Sequence, residues 1–215
     1  MKSDKKKVKF KNVRASLSEM GTLAAQSMDL AIRSLADRTD EHEKALSAIE
    51  TELDDHESEL EKNVLGYLDS KKPKGKKLRF CTVSMKIASD YERIGDRAFE
   101  MIKRLVRMNG FQRTSIPASL LDMSKMVGQM TQYAIEAIDN RDLALSKKVS
   151  FQYQQINELA NRVNSDLHDA AEKGDPSAIQ LTLIARHLDR IGGVARSIAQ
   201  NVEFIVLGDI SESDD

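Results

Sequence analysis

The stretch VSMKIASDYERIGDRAFEMIKRL, residues 83–105, decides the fold. Its apolar residues Val83, Ile87, Tyr91, Ile94, Ala98, Met101 and Leu105 follow a 4-4-3-4-3-4 rhythm, which lines one face of an α-helix and fits no strand. The same stepping recurs on either side. Phe10, Val13, Leu17, Met20, Ala24, Met28, Ala31 and Leu35 predict a helix over about 10–36. Leu46, Ile49, Leu53, Leu60, Val64 and Tyr67 predict a second over about 41–69, and the opening stretch sits in a third, about 76–109. Three more are expected near 117–139, 142–173 and 176–207. A 30-residue helix is about 45 Å long, so these are rods, and short connections make consecutive rods antiparallel neighbours.

Composition agrees. The 215 residues include 3 Pro, 10 Gly, no Trp and 5% aromatics, which argues against a sandwich or barrel and for an all-α chain. No apolar run approaches the roughly 18 residues of a membrane span. Met1-Lys2-Ser3-Asp4-Lys5 leads into no apolar segment, so no signal peptide is expected. A lone cysteine, Cys81, excludes an internal disulfide or a CxxC zinc site and suits a reducing cytoplasm.

Punctuation falls at the joints. Pro73 and Gly75 lie between the second and third helices, Gly110 and Pro117 between the halves, and Gly174-Asp175-Pro176 between the fifth and sixth, with Pro176 expected at a helix start. The halves are repeats. Met28–Asp55 aligns with Thr131–Glu158 at an offset of 103, pairing Ala31 with Ala134, Arg38 with Arg141 and Leu53 with Ile156. Lys86–Ala98 aligns with Leu183–Ala195 at an offset of 97, pairing Arg93-Ile94-Gly95 with Arg190-Ile191-Gly192. The six-residue difference is expected in a shorter Gly-Asp-Pro turn. The expected organisation is two tandem antiparallel three-helix bundles, 10–110 and 116–208, with a basic arm at 1–9 and an acidic tail at 209–215.

A net charge of −1 hides local asymmetry. Residues 1–11 carry six Lys against one Asp, 41–61 carry nine acids against Lys44, and 71–79 carry five Lys plus Arg79. Within the helical pattern, Glu92 and Asp96 lie four apart on the third helix beside the seam of Tyr91, Ile94 and Ala98. Glu50 and Asp54 stand likewise on the second, each one residue past a seam position. Two helices packed by their seams would bring the four carboxylates together. Oxygen-only ligands suit hard cations such as Mg²⁺, Mn²⁺, Ca²⁺ or iron. The plainer alternative is a solvated acidic stripe balanced by Arg93, Arg97 and Lys86. Gly95, repeated at Gly192, costs a helix about 1 kcal/mol and asks for close packing or ligand access.

Ala88-Ser89-Asp90-Tyr91-Glu92-Arg93-Ile94-Gly95-Asp96-Arg97-Ala98 and Ala185-Arg186-His187-Leu188-Asp189-Arg190-Ile191-Gly192 resemble the paired signatures of the PhoU family. Met20-Gly21, Leu78-Arg79-Phe80, Asn140-Arg141-Asp142 and Asn201-Val202-Glu203-Phe204-Ile205-Val206-Leu207-Gly208 extend the likeness over about residues 10–208. The resemblance implies two tandem three-helix bundles and a non-enzymatic cytoplasmic regulator of phosphate uptake. It also implies an adaptor between the ATPase of the Pst phosphate transporter and a PhoR-type histidine kinase, commonly a homodimer. Family motifs of the E(D)-x-x-x-D type bind metal clusters, so Glu50, Asp54, Glu92 and Asp96 are the implied metal ligands, with iron, Mg, Mn or Zn as candidates. The matching positions of the second repeat read Tyr153, Asn157, Asp189 and Gly193, so only Asp189 remains as a remnant there. One metal-binding bundle per chain is expected.

Other features point less far. The residues three before His42, His56, His168 and His187 are Thr39, Leu53, Ser165 and Ile184, so the Glu-x-x-His motif of carboxylate-bridged di-metal oxidases and ferritin-like enzymes is absent. Cys81 and methionines such as Met20, Met28, Met85, Met101, Met123, Met126 and Met130 read as core. The turn Lys71-Lys72-Pro73-Lys74-Gly75-Lys76-Lys77 carries no nucleic-acid motif and is either solvated or a peripheral contact with an anionic membrane. The alternative functions are an accessory protein of a Pit-type phosphate permease and, more weakly for want of that motif, a carboxylate-bridged di-metal oxidase or ferritin-like enzyme.

Overall fold

The computed structural model describes residues 9–37, 40–108 and 116–208. The basic arm to residue 8, Arg38, Gly110 and the acidic tail lie outside the described residues. Six helices follow in order: α1 (Phe10–Ala36), α2 (Asp40–Lys71), α3 (Lys76–Arg107), α4 (Ala118–Asn140), α5 (Leu143–Glu172) and α6 (Ala178–Val206). The apolar seam of α3 from Val83 to Leu105 is buried throughout, with Ile94, Ala98 and Met101 fully enclosed.

Helices α1, α2 and α3 pack on one another, as do α4, α5 and α6. The two bundles meet through α3 on α6 and α1 on α4, leaving α2 and α5 as outer helices. Along α1 and α4 the repeats interlock reciprocally. A Cβ on Gly21 would stand 3.0 Å from Ile135, and one on Gly128 would stand 2.6 Å from Ile32, the residue aligned with Ile135. The absence of a side chain at each glycine lets an isoleucine from the other bundle approach the helix axis.

Local chemistry sets the joints. Asp142 caps α5 by accepting hydrogen bonds from Ala144 N and Leu145 N, after Arg141 reverses the chain at φ 56°. Pro176 is not the first residue of α6. Asp175 Oδ1 accepts from both Ser177 N and Ser177 Oγ, and this Asx turn delays the helix to Ala178. The six-residue difference between repeats is also not in the turns. α3 begins nineteen residues before Gly95 whereas α6 begins fourteen before Gly192. Extra residues inside a packed rod would break its register, so they lengthen the tip of the α2–α3 hairpin. That tip packs Phe10 between Tyr67 and Phe80, at centroid distances of 5.7 and 5.3 Å. It also carries Arg79 to the end of α6, where Nε and Nη2 donate to Ile205 O. The guanidinium thus satisfies a terminal carbonyl that the helix itself leaves unpaired.

Candidate metal centre and the adjoining helix seam

On the first bundle, α2 and α3 bring the four expected carboxylates within electrostatic reach. Burial first, and then the charge of Asp96, raises the Glu50 carboxyl above its ordinary range, with Asp54 and Glu100 adding to the effect. Burial, the Asp96 charge and a hydrogen bond with Asp96 push Glu92 up to about 7, and Glu57 and Asp54 contribute further. Glu50, Glu92 and Asp96 are half-buried and Asp54 is exposed. Mutual repulsion among partly desolvated acids is what lifts such values.

Two acids that the sequence reading omitted join this face: Glu57, seven residues after Glu50, and Glu100, four after Asp96. Their helical spacing was the available signal. Glu100 differs in sign, because Lys103 Nζ donates to it at 2.9 Å and holds its carboxyl below the usual range. Among the described residues no three His, Cys, Asp or Glu side chains converge tightly enough to hold an ion in this arrangement. The donor chemistry nonetheless fits a hard cation, since a face of oxygen ligands whose charges repel one another is relieved by a positive ion.

The second repeat is filled differently. Tyr153, at the position of Glu50, lies against Gly192 and Gly193: its ring stands 3.6 Å from a Cβ on the first and its hydroxyl 3.5 Å from one on the second. Arg196 stacks over the same ring at 5.2 Å. Asp189 therefore has no acid at any of the three matched positions. The aligned glycines differ too, because a Cβ on Gly95 would come within 2.5 Å of Leu53 Cδ1. Packing explains Gly95; Gly192 has room.

Of the arginines expected to balance the acids, Arg97 does lie within the field of Asp96 and Glu92, while Arg93 is engaged by Asp90. Arg93 Nη1 donates to the buried Asp90 at 3.3 Å. Arg97 turns toward α6, where burial and the charges of Arg190 and Arg93 push its guanidinium down, opposed by Asp96 and Glu92. The pairing of α3 with α6 is antiparallel, with Asp90 beside Ser197, Arg97 facing Arg190 and Glu100 facing His187. His187 aligns with Asp90, and Ser197 with Glu100, so the repeats place different chemistry at equivalent places on this seam. The other histidines are engaged elsewhere: His42 Nδ1 lies 3.0 Å from Ser34 Oγ, His56 4.0 Å from Glu19 and His168 3.4 Å from Glu172.

Fold and site together define a duplicated three-helix-bundle protein with a carboxylate face on one repeat only. The PhoU domain family model matches residues 17–105 and 120–202, and the chain belongs to that family. A relative from Clostridium acetobutylicum, named a phosphate-specific transport system accessory protein PhoU homolog, is 22% identical over 93% of this chain and 93% of its own. One of the same name from Pseudomonas aeruginosa is 28% identical over 93% and 84% respectively. Crystal structures share the fold. The phosphate transport system regulatory protein PhoU of Streptococcus pneumoniae superposes with a TM-score of 0.86 at 18% identity, covering 95% of this chain and 98% of that one. PhoU of Pseudomonas aeruginosa gives 0.86 at 23% identity, covering 93% and 97%. No helix among the described residues is long and apolar enough to cross a membrane.

Proposed function

We propose that the chain is a non-enzymatic regulator of phosphate uptake and phosphate-starvation signalling. It works as an adaptor between the ATPase of a Pst-type transporter and a PhoR-type histidine kinase. The observation that carries this reading is the PhoU domain match over both repeats, together with relatives named for the phosphate-specific transport system. Those names favour a Pst-type partner over a Pit-type permease. The acidic face of the first bundle is the metal site in this reading, with Glu50, Asp54, Glu92 and Asp96 as the residues that would hold the ion. A bound cation would supply positive charge between α2 and α3 and so fix the relative setting of those helices. The location is cytoplasmic, the protein is a homodimer, and the exposed lysine turn supports peripheral contact with the inner membrane face.

The test is deletion of the gene, with phosphate uptake and phosphatase expression measured in phosphate-replete medium. Derepressed phosphatase, together with capture of the transporter ATPase and the kinase by the tagged protein, is expected. Phosphatase that stays repressed in the deletion contradicts the reading.

A further inference from the structure

One pole of the molecule gathers positive charge from four separate segments. The start of α1 lies on the α2–α3 tip, where Phe10 packs between Tyr67 and Phe80 and Lys77 Nζ stands 5.9 Å from the Phe10 centroid. Arg141, in the α4–α5 turn, stands 5.7 Å over Phe80, and Arg79 ties the tip to the end of α6 through Ile205 O. Residues 9–14, 69–79, 139–142 and 203–208 together hold ten Lys or Arg against four Asp or Glu. The five lysines of the turn 71–77 are exposed, and so are Lys9 and Lys11. None of the seven has a carboxylate partner among the described residues. Apolar side chains stand beside them. Leu78 follows Lys77, and Leu207 precedes Gly208, where the Arg79 guanidinium lies 3.3 Å from the place of a Cβ. These leucines are two of the five large apolar side chains left exposed among the described residues. The far half of the same hairpin has the opposite sign: residues 41–61 hold nine acids against Lys44, while 62–79 hold seven bases against Asp69.

We infer that this pole docks directly on an anionic lipid bilayer, its lysines among the headgroups and Leu78 and Leu207 at the acyl boundary. The inference rests on the peripheral membrane contact of the proposed reading and gives that contact its chemistry and orientation. The residue types favour lipid over other partners. Protein interfaces are depleted of Lys and anchored by aromatic and Arg side chains. Single-stranded nucleic acid is held by stacking bases on exposed aromatics, whereas Phe10, Tyr67 and Phe80 pack on one another. Lys is a hydrated point charge on a flexible stem, which suits the diffuse field of a charged surface. Orientation follows from the segregated charge. Glu92 lies sixteen residues past Lys76 on α3, about 24 Å at 1.5 Å per residue. Docking by this pole therefore holds the acidic face beyond the Debye length of about 10 Å, where the surface no longer repels it.

The experiment is co-sedimentation of the purified full chain, in chelator, with vesicles of phosphatidylcholine alone and of phosphatidylcholine mixed with phosphatidylglycerol, at low and high salt. Binding to the anionic vesicles only, released by high salt, is expected. Lys74→Gln/Lys76→Gln/Lys77→Gln is expected to weaken it about a hundredfold, since each base near an anionic surface is worth about fivefold. Lys44→Gln/Lys125→Gln/Lys173→Gln removes the same charge away from the pole and is expected to bind as the wild type does. Leu78→Ser/Leu207→Ser keeps every charge and is expected to weaken binding about tenfold. Circular dichroism checks that each variant is folded. Outside the described residues, 1–8 add four lysines against Asp4 and 209–215 add four acids, so removing 209–215 is expected to tighten binding. Several results would overturn the inference: no binding to anionic vesicles, equal binding to phosphatidylcholine, equal loss in the two lysine triples, or indifference to the leucine changes. Looser binding without residues 209–215, or nucleic acid bound more tightly than vesicles, would do the same. Phosphatase expression in the deletion strain tests the regulator reading separately, so a negative result with vesicles leaves that reading standing.

Discussion

The Tyr153 hydroxyl stands 3.5 Å from the place of a Cβ on Gly193, two residues that occupy the positions where the first repeat carries Glu50 and Asp96. One bundle presents a row of repelling carboxylates there, and its twin presents a phenol ring packed on bare backbone. Duplication has left the scaffold intact and confined the acidic chemistry to one side.

The aligned glycines answer differently to the same substitution. Alanine at Gly95 would crowd Leu53 at 2.5 Å, while at Gly192 it meets Tyr153 at an ordinary 3.6 Å. Overpacking costs about 1–3 kcal/mol and a helical Gly→Ala change returns about 1. Gly95→Ala is therefore expected to be destabilising by up to about 2 kcal/mol, and Gly192→Ala neutral to about 1 kcal/mol stabilising. Urea denaturation of both variants measures the contrast.

The metal-free protein should gain stability from Glu92 as pH falls. Its folded value of about 7 stands above the 4.5 of an exposed glutamate, so folding favours the protonated form. The contribution is complete below pH 4.5 and is lost as pH rises through 7. Burial lowers His187, which works in the opposite direction at acid pH. The difference between the chelated wild type and Glu92→Gln isolates the carboxyl. Thermal melts between about pH 5 and 8 should show a steeper fall toward alkaline pH in the wild type.

Much of this was legible beforehand. The periodic apolar residues of α3, from Val83 to Leu105, locate the helix within two residues at its far end, and Leu46, Leu53 and Leu60 do the same for α2. Spacing alone puts Glu50 one turn from Asp54 and Glu92 one turn from Asp96, each pair on its own helix. Periodicity shows which face of a rod is apolar and not which rod it meets. The meeting of α3 with α6, and with it the turn of Arg97 toward Arg190 and of Glu100 toward His187, could not be read from it. Tyr153 on Gly193 was invisible for the same reason, since aligned positions reveal a lost acid and not what fills its place.

Cys81 is fully buried on α3, and burial pushes its thiol up from its ordinary value. The thiolate is the reactive form, so the native protein should resist a thiol reagent such as Ellman's at neutral pH. One thiol per chain should react in denaturant. Rapid native labelling would place Cys81 at an accessible surface and contradict the packing described.

The proposed metal site lies on the first bundle, with no counterpart expected on the second. Elemental analysis of the purified wild type, the Glu92→Ala/Asp96→Ala double variant and Asp189→Ala tests it most directly. Metal is expected in the wild type, lost in the double variant and present at wild-type content in Asp189→Ala. Metal that survives the double change and disappears with Asp189→Ala would contradict it.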